Sequence, residues 1–67
     1  MGNVRVTSET VRRTRNTIKG SFRLSDKTTT KFEIDREYGW RQWGNSESNL
    51  YVTVPRCEQL QIELLDL

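Results

Sequence analysis

Three stretches in which every second side chain is apolar, separated by polar turn residues, predict an all-β domain. The expected form is a small antiparallel sheet or partly closed barrel of 4-5 strands. The clearest stretch is residues 31–43, KFEIDREYGWRQW, with Phe32, Ile34, Tyr38 and Trp40 on even positions and Lys31, Glu33, Asp35, Glu37 and Arg41 on odd ones. A helix would mix Phe32 with Asp35 and Arg36, so its periodicity fails there. The alternative is α+β: a three-stranded antiparallel sheet with a C-terminal helix over residues 55–66 packed on the even-numbered face. It rests on Cys57, Leu60, Leu64 and Leu65 at helix spacing, with Thr53 or Pro55 placed to start the turn.

In chain order, residues 1–16 alternate weakly at Val4 and Val6 and then become rich in threonine and arginine. They read as a flexible basic arm or an edge strand, because threonine and valine disfavour a helix and little apolar surface is present. Ile18, Gly20, Phe22 and Leu24 share one face of the next stretch, while Lys19, Ser21 and Arg23 share the other. Residues 25–29 supply turn chemistry, giving a hairpin with Phe22 or Leu24 opposite Phe32. A one-residue slip would turn the apolar side chains outward and is excluded. The length of the stretch over residues 31–43 calls for a bulge or bend near residues 36–39, where Gly39 lies. A polar loop over residues 44–49 leads to Leu50, Val52 and Val54 on one face of a strand that ends at Pro55. Beyond it Leu60, Ile62 and Leu64 alternate as in a strand, although the helical spacing competes. A helix would expose Ile62, which tips the expectation to a strand.

Composition limits the function classes. With 67 residues the chain has room for a single small domain over residues 1–67, stabilised largely by its six aromatic side chains. One cysteine allows no internal disulfide and fits a reducing cytoplasm. The absence of histidine removes catalytic triads, histidine acid–base chemistry and Cys/His zinc sites, so no enzyme activity, cofactor or metal is expected. Glu33, Asp35 and Glu37 splay along a strand face instead of converging on a cation. No apolar run is long enough for a membrane span or a signal peptide. The net charge of +2 is unevenly spread: residues 1–31 carry eight Lys/Arg against two acids, and residues 32–67 carry three against seven.

Two sets of residues carry functional candidates. Trp40 and Trp43 would face opposite sides of a continuing strand, leaving Trp43 exposed as an anchor. With Tyr51 and Arg41 it defines the expected partner-binding patch of a small regulatory or protein-interaction module, docking on another protein or a second copy of itself through a sheet edge. The second set is Arg12, Arg13, Arg15, Lys19 and Arg23, whose cations suit phosphate oxygens and, beside an exposed indole, a nucleic acid. In that reading Arg13, Arg15, Lys19 and Arg23 share one strand face, unless the acidic face of residues 33–37 neutralises them across the hairpin. The possible compensation of those charges makes the protein-interaction module the preferred expectation.

Overall fold

The computed structural model describes residues 4–44 and 46–66, apart from the side chain of Ser48. Four antiparallel strands, β1 (Val6–Arg13), β2 (Thr17–Leu24), β3 (Thr29–Asp35) and β4 (Gly39–Trp43), form a sheet in sequence order. One helix, α1 (Glu47–Leu65), covers a single face of it. The architecture is therefore α+β and open; the partly closed barrel is not formed, because a helix occupies the place of the expected last strands.

The segment expected as an arm or edge strand is the edge strand β1; its first residues, 1–3, lie outside the described residues. Between Val6 and Ser8 the pairing with β2 slips by one residue, a β-bulge at Thr7, whose hydroxyl donates to the Arg23 carbonyl (3.1 Å). After the bulge the side chains of β1 exchange faces. Val6 opposes Leu24 on the helix side, as do Val11 opposite Gly20 and Arg13 opposite Ile18, whereas Arg12 opposes Lys19 on the open side.

The β2–β3 hairpin has neither expected register. Gly20 faces Phe32 and Phe22 faces Thr30, which preserves the parity but shifts the pairing. The reason is a tighter turn: the Leu24 amide donates to the Thr28 carbonyl (2.9 Å), and Lys27, at φ 73°, donates to the Leu24 carbonyl (2.9 Å). Thr29 and Thr30 consequently enter the strand, in keeping with their β preference. Residues 36–38 form a turn between two strands, not a bulge within one. The Asp35 carboxylate accepts from the Glu37 and Tyr38 amides (2.7 and 3.2 Å) and Gly39 closes the turn at φ 87°. Tyr38 is thereby lifted out of the apolar row into solvent.

The largest correction concerns residues 50–54, expected as a strand, and residues 56–67, weighted toward one. Both lie in α1, apart from residues 66 and 67, the latter outside the described residues. Leu50, Thr53, Cys57, Leu60 and Leu64 recur at alternating intervals of three and four, a stripe that runs through Pro55. Thr53, Cys57, Leu60 and Leu64 are fully buried, and Pro55 sits on the exposed side, away from the stripe. Burial of that stripe outweighs the β preference of the Leu-Tyr-Val-Thr-Val run.

The core joins Ile18, Phe22, Leu24, Phe32 and Ile34 to Cys57, Leu60 and Leu64, with Trp40 and Val52 packed at its margin. Phe22 and Phe32 stack with centroids 4.3 Å apart. Gln42 fixes the first half of α1: its amide donates to the Leu50 carbonyl (3.2 Å), and the buried Thr53 hydroxyl bonds to that carbonyl (2.9 Å) and to the Gln42 side-chain oxygen. No described helix is long and apolar enough to cross a membrane.

Candidate functional site

With α1 on one face, the other face of the sheet is open. Alternation along each strand places Ser8, Thr10 and Arg12 of β1, Lys19, Ser21 and Arg23 of β2, Thr29, Lys31, Glu33 and Asp35 of β3, and Arg41 and Trp43 of β4 on it. The registers order these side chains into rows across the strands. One row runs Arg12, Lys19, Glu33, Arg41, and the next runs Thr10, Ser21, Lys31, Trp43. Among the described strand residues, five cations thus share the face with two carboxylates.

Glu33 is the centre of the charged row. Arg41 donates to its Oε1 from Nε (3.0 Å) and Nη2 (2.5 Å), while Lys19 Nζ lies 3.5 Å from Oε2. The Arg41 bonds, reinforced by Lys19, hold its carboxyl below the ordinary glutamate value, so it stays ionised. Asp35 is turned to backbone amides of the β3–β4 turn. Among the described residues no carboxylate pairs with Arg12, Arg23 or Lys31, and Arg12 stands directly opposite Lys19. Cross-strand neutralisation of the basic face is therefore confined to Glu33.

Trp43 lies at the end of β4 with 44% of its surface exposed, and the Arg41 guanidinium carbon is 5.2 Å from its ring centroid. Trp40, three residues earlier, packs against the core on the helix side, so the two indoles do face opposite sides. Tyr51 is on α1 and 69% exposed, beside a groove between β4 and the helix lined by Trp40, Gln42, Glu47, Leu50 and Val54. The expected patch of Trp43, Tyr51 and Arg41 is thus divided: Trp43 and Arg41 meet on the open face, and Tyr51 belongs to the helix side.

The arginine set is divided as well. Lys19 and Arg23 share the open face with Arg12, whereas odd-position spacing put Arg13 and Arg15 beside them, and Arg13 does not join them. The bulge at Thr7 turns it to the helix side, where it donates to Glu63 (3.1 Å). Arg15 lies in the β1–β2 connection, its carbonyl accepting from Arg36 Nε (3.4 Å). Lys31, absent from the candidate set, occupies the middle of the open face; its odd position beside Lys19 and Arg23 was the available signal. At the end of the face where Ser8, Arg23 and Thr29 align, these residues with Thr10 and Ser21 line a shallow depression of about 190 Å³.

The opposite surface has the other sign. Along α1 the charged side chains Glu47, Glu58 and Glu63 outnumber Arg56, which is itself tied to Glu9 of β1 (2.8 Å). Cys57 is buried and its thiol is pushed up to about 11 by that burial, which leaves it a packing residue and not a nucleophile. Among the described residues no group of His, Cys, Asp and Glu side chains is placed to hold a metal ion. Comparison with protein-family models, with curated proteins and with solved structures finds no match to this chain.

Proposed function

We propose that the protein is a non-enzymatic binding module that takes a nucleic acid on the open face of its sheet. The observation that carries this is the gathering of Arg12, Lys19, Arg23, Lys31 and Arg41 on one helix-free face, with Glu33 the only described carboxylate that pairs with any of them. Such a face presents spaced cations to a polyanion and keeps the acidic helix turned away from it. Arg12 opposite Lys19 supports the same reading, since like charges facing each other across strands are destabilising and a bound phosphate would relieve that repulsion. Exposed Trp43 adds an aromatic surface at the edge of the cations.

Titration of the protein into end-labelled oligonucleotides at low and moderate salt, followed by fluorescence anisotropy of the label, tests this. The expected log affinity falls linearly with log salt, with a slope of about −0.7 for each phosphate neutralised on a single strand. An unchanged signal in salt-poor buffer removes the proposal.

A protein partner has one specific observation in its favour. β4 is an edge strand of five residues, and the groove beside it carries the exposed Tyr51. Tyr51→Ser separates the two readings: it leaves oligonucleotide binding unchanged, because Tyr51 lies on the helix side, and weakens any strand or second copy that docks along β4.

A further inference from the structure

We infer that the nucleic acid bound on this face is single-stranded, and that Glu33 positions Arg41 beside Trp43 as a platform on which an unpaired base stacks. The inference deepens the proposal above and rests on it. Glu33 sits between two cations in the middle of the charged row, and its Oε1 receives both Nε and Nη2 of Arg41. A guanidinium held by two nitrogens to one carboxylate loses much of its rotational freedom. The held group lies 5.2 Å from the centroid of an indole that remains 44% exposed. Indole and guanidinium together offer a flat, partly cationic surface at the edge of the sheet, and a base is recognised by such a surface through its π-face.

A base has that face available only where it is unpaired, since a duplex stacks its bases on each other and shows their edges in the grooves. The remainder of the face agrees with an unpaired strand. Next to Trp43 in its row come Lys31, then the short Ser21 and Thr10, so a chain leaving the platform meets a cation followed by a low hydroxyl floor. The face belongs to a four-stranded sheet, wider than the two-stranded ribbon a major groove admits, and the single described helix is on the far side with its acidic residues.

The role given to Glu33 has an unusual sign, and the test uses it. By charge alone, Glu33→Gln makes the face more positive and tightens every polyanion. By positioning, the same change frees Arg41 and weakens the ligand that stacks. The probes are oligo-dT and oligo-U of about 12 nucleotides, within the footprint of small single-strand modules, a hairpin duplex of matched sequence length, and heparin. Affinity is read from the anisotropy of end-labelled probes, with heparin as a labelled probe likewise, and a Trp40→Phe background leaves Trp43 as the separate reporter of stacking. The expected result is quenching of Trp43 by at least one of the single strands, with the preferred oligomer identifying DNA or RNA, and duplex bound about tenfold more weakly or worse. Trp43→Ala costs single-strand affinity about tenfold, within the span measured for stacked bases, while heparin affinity stays within about twofold; Trp43→Phe retains most of the binding. Glu33→Gln weakens the single strand and strengthens heparin. Duplex bound as well as single strand without quenching, or all probes tightened alike by Glu33→Gln, overturns the inference and leaves the nucleic-acid reading standing. Failure to bind any probe at low salt overturns both.

Discussion

Gly20 lies where the sheet has no room for a side chain. A Cβ there would sit 1.8 Å from the Thr10 carbonyl oxygen and 3.1 Å from the Phe32 ring, so the missing methyl lets β1 cross β2 closely while Phe32 covers the gap. The obstacle is backbone and cannot swing aside. Gly20→Ala is expected to destabilise by about 2 kcal/mol or more, as overpacking of a filled interior does, and urea denaturation followed by circular dichroism measures it. The spacing of residues 18–24 shows that Gly20 belongs to the inner face, but not that a carbonyl from another strand presses on it. That closeness arises only when three strands are superposed.

At the scale of elements, α1 is held to the sheet by different chemistry along its length. Gln42 and Thr53 bind its first half to β4, the apolar stripe seals its middle, and two ion pairs, Glu9–Arg56 and Arg13–Glu63, bind it to β1. Arg56 bonding holds the Glu9 carboxyl below its ordinary value of 4.5. The pair therefore contributes fully above that pH, and its contribution fades as the pH falls through the depressed value and the carboxylate is protonated. Glu9→Gln is expected to cost about 0.5–1 kcal/mol at pH 7, the range of a partly exposed pair. That difference from the unaltered protein should vanish in strongly acidic buffer, which paired urea titrations at the two pH values would show. Pro55 provides an opposite case. It removes a hydrogen bond from the helix interior without contributing to the buried stripe. Pro55→Ala should stabilise the protein by about 1–3 kcal/mol, up to the intrinsic helix cost of proline, raising the thermal midpoint in a calorimetric scan.

The whole molecule is polarised across its thickness, with cations on the open sheet and carboxylates on the helix. Such an arrangement opposes folding slightly and favours a polyanion on one side. Arg12 illustrates the exchange, since it faces Lys19 and has no described carboxylate partner. Replacement by threonine is expected to raise stability by a few tenths of a kcal/mol at low ionic strength, less in salt. The same change should weaken oligonucleotide binding and reduce the magnitude of its salt slope by about 0.7, the loss of one phosphate contact. Stability and affinity moving in opposite directions in one variant, read from denaturation and from titration, would mark Arg12 as a binding residue; both falling together would mark it as structural.

Period-two patterning by itself determined which side chains of residues 18–24 and 31–35 form the core, because one buried face leaves no freedom of parity. It also placed the two tryptophans on opposite faces, while the distribution of charged residues along the chain set its electrical asymmetry. The membership of the candidate site was decided by the tertiary structure. A single extra residue at Thr7 reverses the faces of β1 and so puts Arg12, not Arg13, beside Lys19 and Arg23. Likewise, the helix over Glu47–Leu65 follows from burial of a stripe that only a sheet beneath it makes worthwhile, since the local β preference of residues 50–54 points the other way. Bulges and helix docking depend on contacts between residues far apart in the chain, and these distant contacts reset the faces that local alternation would otherwise assign.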